Sequence, residues 1–250
     1  MIDPRLAVIE RRLASARRIV AVTGGKGGIG KTLVSSTLAL ALAADGRRVG
    51  LLDLDFTGPC DHLVIGARQE FPEEEFGILP QVVAGVQFMS IACFGGDDPV
   101  PLRGADLTNA LVELLAITRW GDLDTLVIDM PPGLGDMALD AVQLLPRAEY
   151  VVITSASQLV VQTVRRSLTL LRRLDRRVRG TVENMAPSSQ LSDRVAALAA
   201  DSAVPVLAVL PADGHVEVAL GRPEMLLATR FGRAVQALAS SLDGTSHPVS

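Results

Sequence analysis

The sequence feature that most restricts the fold is a glycine-rich loop at residues 24–32, which reads Gly-Gly-Lys-Gly-Gly-Ile-Gly-Lys-Thr. It follows an apolar, β-rich run and precedes an apolar run with helical spacing, the context in which such loops bind phosphate. Glycines let successive backbone N–H groups converge on phosphate oxygens, and the amino end of a helix favours anions. The sequence therefore predicts a P-loop that binds ATP.

Within this loop, side chains have separable roles. Lys31 is expected to reach the β- and γ-phosphates, and Thr32 to place its hydroxyl on Mg²⁺. A glycine-rich turn without a ligand is the alternative, and the match in both sequence and context argues against it. The residues predicted to bind the nucleotide in this segment are Gly25, Lys26, Gly27, Gly28, Ile29, Gly30, Lys31, Thr32 and Leu33.

Lysine usage marks the same loop. Lys26 and Lys31 are the only lysines in the chain, and every other Lys or Arg position is arginine. A lysine ammonium is a compact, rotatable point charge, unlike the planar guanidinium of arginine. The chain retains lysine where a terminal phosphate needs such a charge, so the loop is the predicted chemical centre.

Apolar β-rich runs alternate with amphipathic stretches along the chain, a pattern that predicts an α/β fold. We expect one P-loop NTPase domain over residues 1–250, with a mostly parallel sheet and helices on both faces. Residues 1–16 form an N-terminal extension and 243–250 a loose tail. The predicted strands are 19–23, 49–53, 86–90, 125–129, 150–154, 180–183 and 206–210. The predicted helices are 31–44, 107–118, 158–173, 191–200 and 230–242.

Carboxylates stand at the ends of two predicted strands. Asp129 would emerge at the carboxyl edge of the sheet, where ligands of open α/β sheets bind, and would hold a Mg²⁺-bound water. Asp53 would contribute to the same metal site through water, and Asp55 would share its face and orient the attacking water. The alternative for each is a carboxylate that caps a loop.

Composition excludes several classes of protein. The chain has 250 residues and 48% hydrophobic residues, enough for a sizeable core, and no apolar run reaches the roughly 18 residues that span a bilayer. Two cysteines are too few for a disulfide scaffold, and a net charge of -4 makes nucleic acid an unexpected partner. We expect a soluble cytoplasmic protein, and we assign no metal role to His62, His215 or His247.

The loop with its additional Lys26 resembles the deviant Walker A signature of the family that contains MinD, ParA, the nitrogenase iron protein and the Mrp/ApbC-type iron-sulfur cluster carriers. Over residues 17–242 the chain is most similar to the Mrp/ApbC branch. The segments that carry this resemblance are 53–59 (Asp-Leu-Asp-Phe-Thr-Gly-Pro), 86–91 (Val-Gln-Phe-Met-Ser-Ile), 103–104 (Arg-Gly), 129–136 (Asp-Met-Pro-Pro-Gly-Leu-Gly-Asp) and 182–185 (Val-Glu-Asn-Met).

The resemblance implies a homodimer in which Lys26 reaches the partner's nucleotide. It implies that Asn184 reads the adenine, with Pro211 and Asp213 lining its other side. It also implies a switch that senses the γ-phosphate, formed by Gly133, Gly135 and Asp136. Together these features imply a slow, Mg²⁺-dependent ATPase that serves iron-sulfur cluster assembly or transfer. Its partner would be a client apoprotein or an assembly factor. The catalytic residues would be Lys26, Lys31, Asp55 and Asp129.

The chain also departs from this family. The usual Cys-x-x-Cys after the Glu-Asn-Met segment is absent, because residues 186–190 read Ala-Pro-Ser-Ser-Gln. Leu33 stands where relatives often have a hydroxyl. Cys60 and Cys93 are open as cluster ligands, but we expect two ordinary, largely buried thiols. The alternatives are a cysteine-poor Mrp relative that acts as an adaptor, and a MinD- or ParA-like positioning ATPase.

Arginines crowd one predicted helix and its exit. Their spacing predicts that most share one face, as a solvated surface or as a site for DNA or an acidic partner; the solvated surface is preferred. They are Arg165, Arg166, Arg172, Arg173, Arg176, Arg177 and Arg179.

Overall fold

The computed structural model describes residues 3–95 and 104–243. They form an eight-stranded sheet in the order β3-β4-β2-β5-β1-β6-β7-β8, in which β3 is antiparallel to β4 and the other neighbours are parallel. The strands are β1 (Ala16–Gly24), β2 (Val49–Asp53), β3 (Gln81–Val83), β4 (Val86–Ser90), β5 (Leu123–Asp129), β6 (Glu149–Thr154), β7 (Arg177–Ala186) and β8 (Val206–Pro211). The predicted α/β fold with a mostly parallel sheet is confirmed.

Central strands are buried on both faces. Every residue of β2 is buried, and six of the seven residues of β5 are. Successive side chains of a strand point to opposite faces, so helices must cover both sides of the sheet. The helices are α1 (Arg5–Leu13), α2 (Lys31–Ala44), α3 (Asp61–Ile65), α4 (Ala92–Gly95), α5 (Ala105–Ile117), α6 (Asp136–Leu144), α7 (Gln158–Arg173), α8 (Asp193–Ser202), α9 (Val216–Ala219), α10 (Pro223–Ala228) and α11 (Arg230–Asp243).

Element bounds agree best where the apolar runs are uninterrupted. The bounds of β2, β4, α2 and α7 match the predicted ones, while β7 extends beyond 180–183 at both ends. The sequence pattern missed β3, α6 and several short helices, and it missed α1, which lies inside the expected N-terminal extension and buries Ile9 and Leu13. Arg103 and the expected loose tail from residue 244 onward lie outside the described residues.

Parallel strands bring the carboxyl ends of β1, β2 and β5 to one edge of the sheet. β1 lies between β5 and β6, and Asp53 at the end of β2 is in register with Asp129 at the end of β5. The loop after β1 leads directly into α2. This edge therefore holds both the glycine-rich loop and the two predicted metal-site carboxylates. Among the helices of the described residues, none is long and apolar enough to cross a bilayer.

Candidate nucleotide and cation site

The glycine-rich loop leaves the amino end of α2 open. Gly28 and Gly30 both have φ of +79°, a left-handed conformation that side-chain-bearing residues rarely adopt. Gly30 is the N-cap residue of α2 and supplies no side-chain cap. The first N–H groups of α2 are therefore free to meet an anion, with the helix dipole behind them.

One side of this loop packs tightly and its tip is open. A Cβ at Gly25 would lie 2.5 Å from backbone atoms of Thr163 and Val164 in α7, so only glycine fits there. No atom lies within 4 Å of a Cβ placed on Gly27 or Gly28. The loop is anchored to α7 at its start and faces open space at its tip.

Lys31, Thr32 and Asp129 meet at the base of the loop. The Thr32 hydroxyl donates to Asp129 Oδ2 over 2.7 Å, and Lys31 Nζ lies 2.8 Å from Asp129 Oδ1. The second contact is an ion pair without hydrogen-bond alignment, because neither Nζ nor Oδ1 has a directed partner among the described residues. The Lys31 side chain is 7% exposed and that of Asp129 is fully buried.

The two lysines of the loop have opposite surroundings. Lys31 is buried, whereas Lys26 is exposed and forms no ion pair with any part of the chain that the structure describes. A solvent-facing ammonium at the loop tip is free to reach a group outside its own chain. The expected difference in role between the two lysines is thus matched by a difference in burial.

Asp61 is a third carboxylate at this site, and the sequence reasoning missed it. It is the first residue of α3, is fully buried and accepts a short hydrogen bond from Ser36 of α2. One oxygen each of Asp53, Asp61 and Asp129 lies within 4.8 Å of the others. The loop after β2 thereby adds a carboxylate to the two that the strand ends supply.

Burial and mutual repulsion disturb the ionisation of these carboxylates. Burial and then the neighbouring charge of Asp129 raise the pKa of Asp53 to about 7. Burial, followed by the charges of Asp129 and Asp53, raises the pKa of Asp61 well above its usual range. The site favours either protons or a cation among its oxygens.

Magnesium fits this set of side chains. Buried Asp61 Oδ2 and Asp129 Oδ1 lack hydrogen-bond partners among the described residues. The Thr32 hydroxyl gives its proton to Asp129 and keeps its lone pairs. Carboxylate and hydroxyl oxygens are the ligands that this cation prefers.

Asp55 does not share a face with Asp53 as expected. β2 ends at Asp53, so Asp55 lies in the following loop, partly exposed, while Asp53 is buried. Asp55 Oδ1 accepts from the Thr57 hydroxyl over 2.7 Å and from the N–H groups of Thr57 and Gly58. The shared-face prediction was wrong because the strand period stops at Asp53; the role of Asp55 toward water stays a prediction.

The residues expected around the adenine come from β7, from the end of β8 and from the loop that follows β8. Asn184 is buried and its Nδ2 donates to the Ile29 carbonyl over 2.9 Å, so it contacts the loop from β7. Asp213 Oδ2 accepts from the N–H groups of Arg230 and Phe231, which fixes the start of α11. Hydrogen bonds from the His215 backbone and side chain lower the pKa of Asp213. Pro211 ends β8, and contacts of these side chains with a base stay predictions.

The expected switch segment follows β5. Gly133 has φ of +76° and Gly135 is the N-cap residue of α6, whose first residue, Asp136, is exposed. A Cβ at either glycine would meet no atom within 4 Å. There is therefore free space around both glycines of the segment that follows Asp129 in the chain.

One of the two cysteines differs from expectation. Cys93 is buried as expected, but Cys60 is exposed, because it precedes α3 in the loop after β2. Burial, followed by the charges of Asp53, Asp55 and Asp129, raises the pKa of Cys60, and burial raises that of Cys93. Iron-sulfur clusters are held by thiolates, and these surroundings disfavour the ionised form of both thiols.

The arginine-rich region is split between two structures. Arg165 pairs with Asp201 over 2.9 Å, and Arg172 donates to the Ser202 carbonyl, so both hold α8 against α7. Arg177 and Arg179 lie in β7 and surround Glu149. These arginines therefore do not form one continuous helix face.

The fold and the site define a P-loop NTPase: a parallel sheet, a glycine-rich loop after its first strand and a lysine, threonine and carboxylates at the base. A family model for NUBPL iron-transfer P-loop NTPases, in the ParA group, matches residues 15–228. The chain belongs to this family. The resemblance that the motifs predicted is thereby confirmed.

Similar proteins of known name support this family assignment. An iron-sulfur cluster carrier protein from Pseudomonas fragi is 42% identical over 180 residues, which is 70% of this chain and 62% of that protein. The match thus spans less than two thirds of the relative's length. A nucleotide-binding protein from Archaeoglobus fulgidus, solved in complex with ADP, has a TM-score of 0.72 at 25% identity and covers 97% of this chain and 94% of its own. The cell division ATPase MinD of Pyrococcus furiosus shares the fold, with a TM-score of 0.68, 23% identity and coverage of 92% and 99%.

Proposed function

We propose that this chain is a Mg²⁺-dependent, ATP-hydrolysing homodimeric switch that acts in the assembly or transfer of iron-sulfur clusters. The observation that carries the proposal is the loop itself, in which Lys31 is buried against Asp129 while Lys26 is exposed without a partner among the described residues. The named function of the Pseudomonas fragi relative supports the link to iron-sulfur clusters.

Hydrolysis would depend on positioning and charge, since phosphoryl transfer requires little covalent chemistry from the protein. Backbone N–H groups of residues 25–33 hold the phosphates, and Lys31 neutralises the charge on the terminal ones. Thr32 would hold Mg²⁺ through its hydroxyl, and Asp53 and Asp129 would hold it through water. When bound, the cation would supply positive charge for the terminal phosphates. Asp55 orients the attacking water.

Dimerisation would complete the site. Lys26 would reach the nucleotide of the second copy, so that the two chains close on ATP and separate after hydrolysis. Gly133, Gly135 and Asp136 would transmit the loss of the γ-phosphate, because order and disorder of such segments is a common way to read it. Leu134, Leu159 and Met185 are exposed apolar residues that a second copy would cover.

Two lysine variants test this proposal. Lys31→Ala should lower ATP hydrolysis at least about 100-fold and weaken ATP binding, as expected for loss of a charge on the reacting phosphates. Lys26→Ala should lower hydrolysis while monomers still bind ATP, and it should abolish ATP-dependent dimers in sedimentation velocity. The exposed Arg166→Ala is the control and should change neither property. Intact hydrolysis in either lysine variant would exclude this mechanism.

The absence of cysteine from residues 186–190 favours a second candidate. In this alternative the chain keeps the ATP switch but binds a client apoprotein as an adaptor, without a cluster of its own. Iron and sulfide analysis of anaerobically prepared and reconstituted protein separates the two. Stoichiometric iron and sulfide support a carrier, whereas ATP-dependent client binding by cluster-free protein supports an adaptor.

A further inference from the structure

Asp61 has no role in the function proposed above, yet it is buried beside the reacting centre. Its Oδ1 accepts from the Ser36 hydroxyl, which lies on the buried face of α2, one turn beyond Thr32. Its Oδ2 is buried and lacks a hydrogen-bond partner among residues 3–95 and 104–243. A buried carboxylate oxygen without a donor is costly, so this atom calls for a ligand.

The charges around Asp61 also indicate that a ligand is missing. Asp53, Asp61 and Asp129 approach one another within 4.8 Å and are fully buried. In the part of the chain that the structure describes, Lys31 is the one basic side chain paired with them. When all three are ionised, three carboxylates and one ammonium leave two negative charges, which buried groups do not tolerate unless paired. A divalent cation supplies the missing charge.

Hydrogen bonding leaves suitable ligand atoms on several sides. Thr32 donates its proton to Asp129 Oδ2 over 2.7 Å, and Ser90 donates to Asp53 Oδ2 over 3.1 Å. The Asp55 N–H donates to Asp53 Oδ1 over 2.9 Å. These donors fix the carboxylates in place without filling all of their lone pairs, and a set of oxygens held in this way suits Mg²⁺ or Mn²⁺.

We propose that Asp61 is a third carboxylate of the cation site and that Asp53, Asp61 and Asp129 bind Mg²⁺ or Mn²⁺ before any nucleotide is present. The proposal rests on the function proposed above, because it concerns the same site. The bound cation replaces Lys31 as the partner of Asp129, and the ammonium is then available to phosphate. Asp61 thereby makes cation binding precede and favour ATP binding.

Manganese binding by the nucleotide-free chain tests this directly. Free Mn²⁺ is measured by electron paramagnetic resonance for the unsubstituted protein, for Asp61→Asn and for the control Asp45→Asn, whose residue is exposed at the end of α2. We expect one site per chain, affinity reduced at least about 10-fold in Asp61→Asn, and no change in Asp45→Asn. Even loss of an outer-shell partner commonly costs 10- to 100-fold. Excess Mg²⁺ should displace the Mn²⁺.

Ser36→Ala keeps the carboxylate and removes its anchor, so it should weaken Mn²⁺ binding less than Asp61→Asn does. Circular dichroism confirms that each variant is folded. The proposal is overturned if the unsubstituted chain binds no Mn²⁺ without nucleotide, or if Asp61→Asn binds it with equal affinity.

Nucleotide binding in EDTA separates this proposal from the proposed function. A fluorescent ATP analogue should bind both the unsubstituted chain and Asp61→Asn without a cation, and added Mg²⁺ should tighten binding more in the former. Equal tightening in both would remove Asp61 from the cation site and leave the ATP switch intact. Absence of nucleotide binding under all conditions would instead remove the ATP switch.

Discussion

The two ends of the central sheet each hold a cluster of charged side chains, and the clusters are built in opposite ways. At the carboxyl end, three buried carboxylates face one ammonium, and several of their atoms lack partners among the described residues. At the amino end, Arg18 and Arg177 each lie 2.7 Å from a Glu149 oxygen, with Arg179 at 3.7 Å. There three guanidinium groups share one carboxylate.

Two of these guanidinium groups also bind the last helix. Arg18 and Arg179 donate to the Leu242 carbonyl over 2.9 and 3.3 Å, close to the carboxyl end of α11, where the helix dipole favours cations. These arginines therefore stabilise the join between β1, β7 and the last helix. Among the described residues, the carboxylates at the carboxyl end have only Lys31 as a basic partner. We infer that the amino-end cluster serves the fold and the carboxyl-end cluster serves a ligand.

Removing the shared carboxylate of the amino-end cluster should have the largest effect on stability. Glu149→Ala removes the carboxylate that Arg18 and Arg179 share, and their side chains are only 21% and 10% exposed. We expect the free energy of unfolding in urea to fall by about 3 kcal/mol, as for other buried pairs that lose one partner. Glu73→Ala, an exposed residue without an ion pair in the described part of the chain, should change it by less than about 0.5 kcal/mol.

ATP binding by the folded fraction should be unchanged in Glu149→Ala. A cost below about 1 kcal/mol, or a loss of ATP affinity in the folded protein, would contradict the structural role assigned to this end of the sheet.

Backbone packing sharpens the contrast at the carboxyl end. In Gly25→Ala the new Cβ would lie 2.5 Å from backbone atoms of α7. Backbone atoms cannot move aside as a flexible side chain can, so the loop itself must shift. We expect a loss of about 2 kcal/mol in urea unfolding, the usual scale of overpacking. Gly27→Ala is the control, because its Cβ meets no atom within 4 Å and its φ is not positive. Equal stability of the two variants would show that the loop is not held by α7.

These packing details show why the fold was more predictable than the site. The bounds of α2 and α7 follow from long periodic runs, and Asp129 is placed by the apolar strand that it ends. β3 has three residues at the sheet edge, too few for a periodic pattern. Asp61 depends on the turn after β2 and on Ser36, 25 residues earlier, so only tertiary structure reveals it. Asp55 was misplaced because β2 ends at Asp53, and the alternation of side chains along a strand does not extend to the loop that follows.

The pH dependence of stability tests whether the carboxyl-end cluster lacks a cation. In EDTA and without nucleotide, Asp53 has a pKa of about 7 in the folded chain, against an ordinary value near 3.8 when unfolded. Between these values the folded state holds a proton that the unfolded state releases, so stability falls as pH rises from about 4 through 7. We expect a loss of about 2 kcal/mol between pH 5 and pH 7 in urea unfolding.

Asp53→Asn should show a smaller loss over the same interval, because the group no longer titrates. Excess Mg²⁺ should also reduce the loss in the unsubstituted chain. If the unsubstituted chain and Asp53→Asn showed the same dependence of stability on pH, the pKa of Asp53 would not be raised in the cation-free chain.

Breaking an exposed ion pair should have the smallest effect on stability. It tests whether burial causes the larger effect expected for Glu149→Ala. Arg165 and Asp201 lie 2.9 Å apart, nearly as close as the pairs at 2.7 and 2.8 Å at the two ends of the sheet, but their side chains are 40% and 56% exposed. Water and salt screen such a pair, and holding two long side chains costs entropy. We expect Arg165→Ala to change the free energy of unfolding by less than about 0.5 kcal/mol, with less effect still in 1 M salt. If Arg165→Ala were as damaging as Glu149→Ala, the short distance between the charges would explain both effects, and burial would no longer account for the larger role of Glu149.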